Sequence, residues 1–160
     1  VVGLAEAALV TASMLGRTFA VVTFATALGP WYRECIEIHG FAHRLAGIVM
    51  VEEAFRSVID VQDEMQDKLV ELANKAAKDL AADVIIFGGA PLAGLATKVR
   101  DRVGVPLVDP VMASVKQAEA LVALRPRKAV MGTFRRPGAK STLGLAEALA
   151  RRIEHRDAQA

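Results

Sequence analysis

The stretch Val84-Ile85-Ile86-Phe87-Gly88-Gly89-Ala90-Pro91-Leu92 constrains the fold more than any other part of the chain. A short run of Val, Ile and Phe between helix-periodic segments is the signature of a strand buried in a parallel sheet. The strand runs into a turn of two glycines and a proline. Gly88 and Gly89 let backbone come close to a neighbour with no Cβ in the way. Pro91 suits the first position of a helix, where a missing N–H costs nothing. No Ser, Thr, Asp or Asn caps the helix expected next, so its first N–H groups call for another acceptor. An anion or an oxyanion fits such a turn. A tight turn made only for helix–sheet packing fits it too. The glycine spacing matches neither G-x-G-x-x-G nor a P-loop.

The surrounding pattern repeats the theme. Helices are predicted over Glu6–Leu15, Leu28–Ile38, Asp63–Leu80, Leu92–Val103 and Val111–Leu124. Strands are predicted over Phe19–Phe24, Leu45–Val51, Val84–Gly88 and Val105–Val108, with Val1–Gly3 as the end of another. Residues 52–60 fit no single element. Strands alternating with amphipathic helices predict an α/β fold. Its centre is a parallel four-stranded sheet of the Rossmann-like, flavodoxin-like kind, with flanking helices. Apolar residues make up 53% of the chain and aromatics only 5%, which suits aliphatic helices packed on such a sheet. At 160 residues the chain is long enough to bury a core.

Composition also narrows the function classes. No apolar run reaches the length of a membrane span, so no membrane role is expected. The one cysteine, Cys35, permits no intrachain disulfide and favours the cytoplasm. It lies on a helix with Leu28, Trp31 and Ile38 at helical spacing and reads as a buried, inert thiol. His39 and His43 are separated by the helix-breaking Gly40, so no metal site is expected. From Arg125 to Arg156 there are nine Lys or Arg residues. Such a basic tail reads as a solvated arm or a subunit contact. Nucleic acid is the less favoured partner, because only Phe134 is at hand for base stacking. An Ala-rich surface leaves a homo-oligomer open.

Several residues offer chemistry at strand ends. Thr23 ends the Phe19 strand on the side where parallel sheets bind ligands. Its hydroxyl suits a carboxylate or amide oxygen, or else caps the strand. Asp109, ahead of Pro110, reads as an acid/base group or as a helix cap. Glu6 reads as a group at a cleft mouth or as a first-turn glutamate favoured by the helix dipole.

Four stretches together resemble the aspartate/glutamate/hydantoin racemase superfamily, in particular its hydantoin and allantoin racemase branch. They are Val1-Val2-Gly3-Leu4-Ala5-Glu6-Ala7-Ala8, Leu15-Gly16-Arg17-Thr18-Phe19-Ala20-Val21-Val22-Thr23, Asp83–Ala96, and Gly104-Val105-Pro106-Leu107-Val108-Asp109 with Ala113–Leu121. The resemblance implies two similar α/β halves around a central cleft. Each half contributes a cysteine at a strand-to-helix turn. One thiol removes a proton from the substrate Cα and the other returns it, with no metal or organic cofactor. In this chain Gly89 falls where the second thiol is implied, and the first is implied ahead of Val1. A weak echo of the start of the chain in Leu107–Thr133 agrees with one half of a duplicated protein. The expected divisions are residues 1–16, the end of a first half with a linking helix; 17–110, the α/β domain; and 111–160, a return helix and basic arm. The implied substrate is a small molecule, an amino acid or cyclic ureide with an acidic Cα–H. The implied substrate-binding residues are Thr23, Gly88, Gly89, Ala90 and Pro91, with Glu6 and Asp109 as further candidates. The alternatives are a non-catalytic binder of small carboxylates or ureides and a one-base decarboxylase of the same fold.

Overall fold

The computed structural model describes residues 1–24, 26–52, 57–58 and 60–156. They fall into two compact units, Val1–Leu124 and Arg125–Ala160. The first unit includes the helix after Asp109, so the division lies after that helix.

In the first unit, helix α1 (Leu4–Leu15) precedes strand β1 (Phe19–Thr23). Helix α2 (Gly29–Ile38), strand β2 (Leu45–Met50), helix α3 (Val61–Asp79) and strand β3 (Val84–Gly88) follow. A short helix α4 (Leu95–Val99), strand β4 (Leu107–Val108) and helix α5 (Pro110–Leu124) complete it. The described strands form one parallel sheet in the order β2-β1-β3-β4. Every residue of β1 and β3 is buried, as expected for central strands covered on both faces.

Two cores lie on opposite faces of the sheet. On one, Ala20, Val22, Ile85 and Phe87 meet Leu69, Leu72, Ala73 and Ala76 of α3 and Leu95 and Val99 of α4. On the other, Phe19, Val21, Val84 and Ile86 meet Ala7, Ala8 and Ala12 of α1 and Ile36 of α2. The period-2 alternation of β1 and β3 sorts their side chains between these cores. Small residues on α1 let it lie close. Gly16 shows how tight the approach is: a Cβ there would come within 2.5 Å of the Asp83 Cβ. The Asp83 carboxylate accepts hydrogen bonds from the Arg17 and Thr18 amides at 2.8 and 3.1 Å and joins the starts of β1 and β3. Those bonds hold its carboxyl below the usual carboxylate range.

Two expectations need correction. Val1–Gly3 is not a strand; it is extended chain leading into α1. The helix expected over Leu92–Val103 is broken. Ala90–Leu92 forms a single 3-10 turn, α4 spans only Leu95–Val99, and Arg100–Arg102 is again 3-10. The cause is Gly94, whose left-handed backbone (φ 85°) cannot continue a right-handed helix. Most of the uncertain stretch over 52–60 lies outside the described residues.

The second unit contains helix α6 (Glu147–Ile153). The Thr142 amide and hydroxyl donate to the Glu154 carboxylate at 2.9 and 2.6 Å, and Glu147 pairs with Arg151 and Arg156. Its apolar block Ala129–Thr133 forms bends and turns, leaving Val130 and Met131 exposed. Among the described residues no helix is long and apolar enough to cross a membrane.

Candidate functional site

Strand order fixes where a site can form. From β1 the chain moves outward to β2 on one side, and β3 returns to pair on the other. In such sheets the loops leaving neighbouring strands diverge at this switch point and open a crevice beyond the carboxyl ends. Phe24 follows β1 there, and Gly89 follows β3. A cleft of about 560 Å³ opens at this point. Gly88, Gly89, Ala90 and Pro91 form one wall. Leu28, Trp31, Tyr32 and Cys35 of α2 and its entry face them, and Leu4, Ala8 and Pro110 contribute from α1 and α5. Among the described residues, none of the lining side chains is charged.

The four turn residues expected at the site are thus brought together. Thr23 is not in the lining. It is fully buried, and its hydroxyl donates to the Gly88 carbonyl at 2.8 Å. Glu6 is exposed in the first turn of α1 and outside the cleft wall. Asp109 sits behind the turn, 9% exposed. One carboxylate oxygen accepts from the amides of Val111 and Met112 at 2.8 and 3.2 Å, which caps α5. The other accepts from the Gly94 amide.

The turn is held from several directions. Gln62 on α3 donates to the carbonyls of Pro91 and Ala93 at 2.8 and 2.9 Å. Both glycines have a local reason. A Cβ on Gly88 would lie 2.9 Å from the Val21 side chain and 3.1 Å from the Tyr32 ring. Gly89 has φ 122°, a conformation L-residues rarely adopt, and a Cβ on it would lie 3.0 Å from the Phe24 ring. The space the glycines leave is therefore largely filled by Phe24 and Tyr32.

Tyr32 and Cys35 carry a hydroxyl and a thiol into the described lining, and sequence reasoning placed neither at the site. The Tyr32 hydroxyl is 3.6 Å from the position of a Cβ on Gly89. Burial pushes the phenol above the ordinary tyrosine range; the Thr23 hydroxyl partly opposes this, and nearby Cys35 adds to it. Cys35 is half-buried at the cleft and not in the core. Burial and the neighbouring Glu34 carboxylate raise its thiol pKa. Among the described residues no group of three or more His, Cys, Asp or Glu could hold a metal.

A titration follows from this environment. Tyr32 is the sole tyrosine of the chain, so its ionisation can be read directly from near-ultraviolet phenolate absorbance. Its midpoint is expected above about 10, the ordinary tyrosine value. Between the unfolded and folded values the native state binds more protons than the unfolded state. The contribution to stability is therefore complete below the unfolded value and is lost as pH rises through the folded one. Denaturant unfolding across that window should show a decline that is smaller in Tyr32→Phe. A midpoint at or below the ordinary value would contradict the enclosed placement of the phenol.

A parallel α/β sheet with a cleft at its switch point, uncharged among the described residues, defines a class of fold whose ligand sites lie beyond the carboxyl ends of the strands. The chain belongs to the Asp/Glu/hydantoin racemase family, whose family model matches residues 1–118. It is 30% identical over 143 residues to a hydantoin racemase of Paenarthrobacter aurescens, covering 89% of this chain and 61% of that protein. It is 28% identical over 150 residues to a hydantoin racemase of Pseudomonas sp. (strain NS671), covering 92% and 59%. The fold superposes on allantoin racemase from Pseudomonas fluorescens with a TM-score of 0.75 at 31% identity, covering 88% of this chain and 60% of that one. For allantoin racemase from Klebsiella pneumoniae the TM-score is 0.77 at 29% identity, covering 89% and 58%. The chain thus spans about 60% of the length of these relatives.

Proposed function

We propose that the switch-point cleft is one wall of a cofactor-independent proton-transfer site. It acts on an acidic Cα–H beside the carbonyl of a cyclic ureide of the hydantoin kind. The observation that carries this reading is the cleft at Gly88–Pro91, uncharged among its described residues, in a chain of a racemase family. A dicarboxylate such as glutamate would bring charge against a wall whose described residues offer no cation to meet it, which is costly. A neutral ring with an apolar substituent matches Trp31, Phe24 and Leu28. Removal of the Cα proton sends the C–H electron pair toward the carbonyl oxygen and forms an enolate. In this reading the backbone amides of Gly89 and Ala90 donate to that oxygen, and such preorganised donors are often the largest catalytic term. Ala90–Leu92 is a single 3-10 turn, so a helix dipole adds nothing here. No side chain of the chain is assigned the base. Gly89 takes the position at which the racemase resemblance implies a thiol, and its φ of 122° disfavours any side chain there. That observation supports a second reading: a ureide-binding protein of the same fold without catalysis, or a one-base variant.

Trp31 is the sole tryptophan and lines the cleft, so its fluorescence reports occupancy. A benzyl-substituted hydantoin is expected to change it saturably, and glutamate and aspartate are not. Tight binding of the dicarboxylates, or none of the hydantoin, would sink the proposal. Deuterium entry at Cα of the bound hydantoin in heavy water then separates the two readings. Exchange above the buffer rate is expected for the isomerase and none for the binder.

A further inference from the structure

The second unit gathers positive charge that its described carboxylates do not answer. The coil ahead of α6 is tied back along the end of that helix. The Arg136 guanidinium donates to the Arg152 carbonyl at 2.8 Å, the Lys140 amide donates to the Ile153 carbonyl at 3.4 Å, and Thr142 donates to Glu154. Coil and helix together line a concavity of about 800 Å³. Lys128, Arg136, Lys140, Arg152 and His155 face it, and no Asp or Glu is among its described lining residues. Glu147 is engaged by Arg151 and Arg156, and Glu154 by Arg156 and Thr142. Among the described residues no carboxylate pairs with Lys128, Arg136, Lys140 or Arg152. Charge of one sign collected around a concave surface repels itself and raises the local concentration of anions. The tether to the Arg152 carbonyl uses only part of Arg136. The remaining N–H groups of its fork stay available, in a geometry that suits paired phosphate oxygens.

We propose that this concavity binds a diphosphate group carried on a small organic molecule. A phosphate group carries about −1.5 to −2 at neutral pH, so two linked phosphates call for as many cations as the lining supplies. A single carboxylate would leave most of them unanswered. Pro137, Leu149 and Ile153 add apolar surface to the same lining and give the organic part a wall. Apart from the His155 imidazole, the described lining holds no aromatic ring, so a strand of nucleic acid finds no stacking platform in it. The exposed Phe134 lies outside it. The site is independent of the cleft at Gly88–Pro91 and of what that cleft binds.

The test uses the 160-residue chain with inorganic diphosphate as the probe, read by titration calorimetry at low salt. Diphosphate should bind about tenfold more tightly than orthophosphate, because its two linked groups engage the cations together. Added salt should weaken it steeply. The tricarboxylate tricarballylate should bind more weakly than diphosphate, and butyl diphosphate at least as tightly. Lys128→Gln/Arg152→Gln should weaken diphosphate binding about tenfold. Arg127→Gln/Arg151→Gln removes the same charge outside the lining and should leave binding within about twofold. Equal losses in the two double variants would reduce the effect to diffuse attraction and overturn the site. Orthophosphate or tricarballylate binding as tightly as diphosphate, or no diphosphate binding, overturns it as well, and exclusion of butyl diphosphate overturns the organic part. An oligonucleotide that outbinds diphosphate and is lost in the lining variant overturns the small-molecule assignment. A second measurement needs no variant. Diphosphate should slow acetylation of Lys128 and Lys140 several-fold and spare Lys75 and Lys116, which pair with carboxylates on α3 and α5. Uniform protection, or none, counts against the proposal.

Discussion

Gly89→Ala is expected to destabilise the chain by about 1–3 kcal/mol, the range for a non-glycine residue forced into a sparsely populated backbone region. The backbone at Gly89 has φ 122° and ψ 133°. The turn cannot readily escape this by rotating. Gln62 holds the carbonyls of Pro91 and Ala93, and Asp109 holds the Gly94 amide. The new Cβ would also lie 3.0 Å from the Phe24 ring, which is buried and has little room to move. Gly94→Ala is the matched control, with φ 85° and nothing within 4 Å of the added carbon. Denaturant unfolding should rank Gly89→Ala as the more damaging of the two, and it should also weaken binding of the benzyl hydantoin. Gly89→Cys should behave like the alanine variant or worse. A thiol at this position needs a different turn, so introducing one does not by itself restore the residue that the racemase resemblance implies. A fully stable Gly89→Cys protein that exchanges the Cα proton of a hydantoin would overturn this account.

The fold was legible because its signals are local and repeated. The aliphatic run at 84–88 reads as a buried strand at the boundaries observed, and of the helical stripe Met65, Leu69, Leu72, Ala76 and Leu80 all but Leu80 lie on the buried face of α3. The helix after Pro91 was not, since the left-handed conformation at Gly94 depends on Asp109, fifteen residues away, taking its amide. The cleft was half legible. The glycine turn announced itself, but the helix opposite was read in the wrong phase. Leu28, Trp31 and Ile38 look like its inward stripe, yet all three are exposed, and Ile36 and the half-buried Tyr32 face inward. The apolar stripe on α2 is short, and Tyr32 and Ile36 lie between the residues chosen for it. A useful signal was available: Tyr32 lies four residues before Ile36, one turn earlier on the same face. Thr23 was located correctly at a strand end, but its burial and the direction of its hydrogen bond are tertiary facts that no spacing reveals.

Asp109→Ala should be the other large effect, about 2–4 kcal/mol, with no direct contact to a ligand. Three backbone amides depend on this carboxylate, those of Val111 and Met112 at the start of α5 and that of Gly94 ahead of α4. Losing a helix cap alone costs about 0.5–2 kcal/mol. Leaving a further amide without its charged acceptor in a site that is 9% exposed adds to that. Asp109→Asn separates the two jobs. An asparagine has one carbonyl oxygen, so it can cap α5 or hold Gly94 but not both, and its amide group then presents protons to a donor. It should fall between the parent and the alanine variant. Because Gly94 ends the turn that walls the cleft, ligand affinity should fall with stability in both variants, in the same order. An acid/base role for Asp109 makes a different forecast: Asp109→Asn would keep its stability and its affinity for the benzyl hydantoin and lose only Cα exchange. Unfolding and binding measured on the same three proteins decide between a group that shapes the wall and one that moves a proton. With both oxygens occupied by backbone amides, the carboxylate is placed to shape the wall.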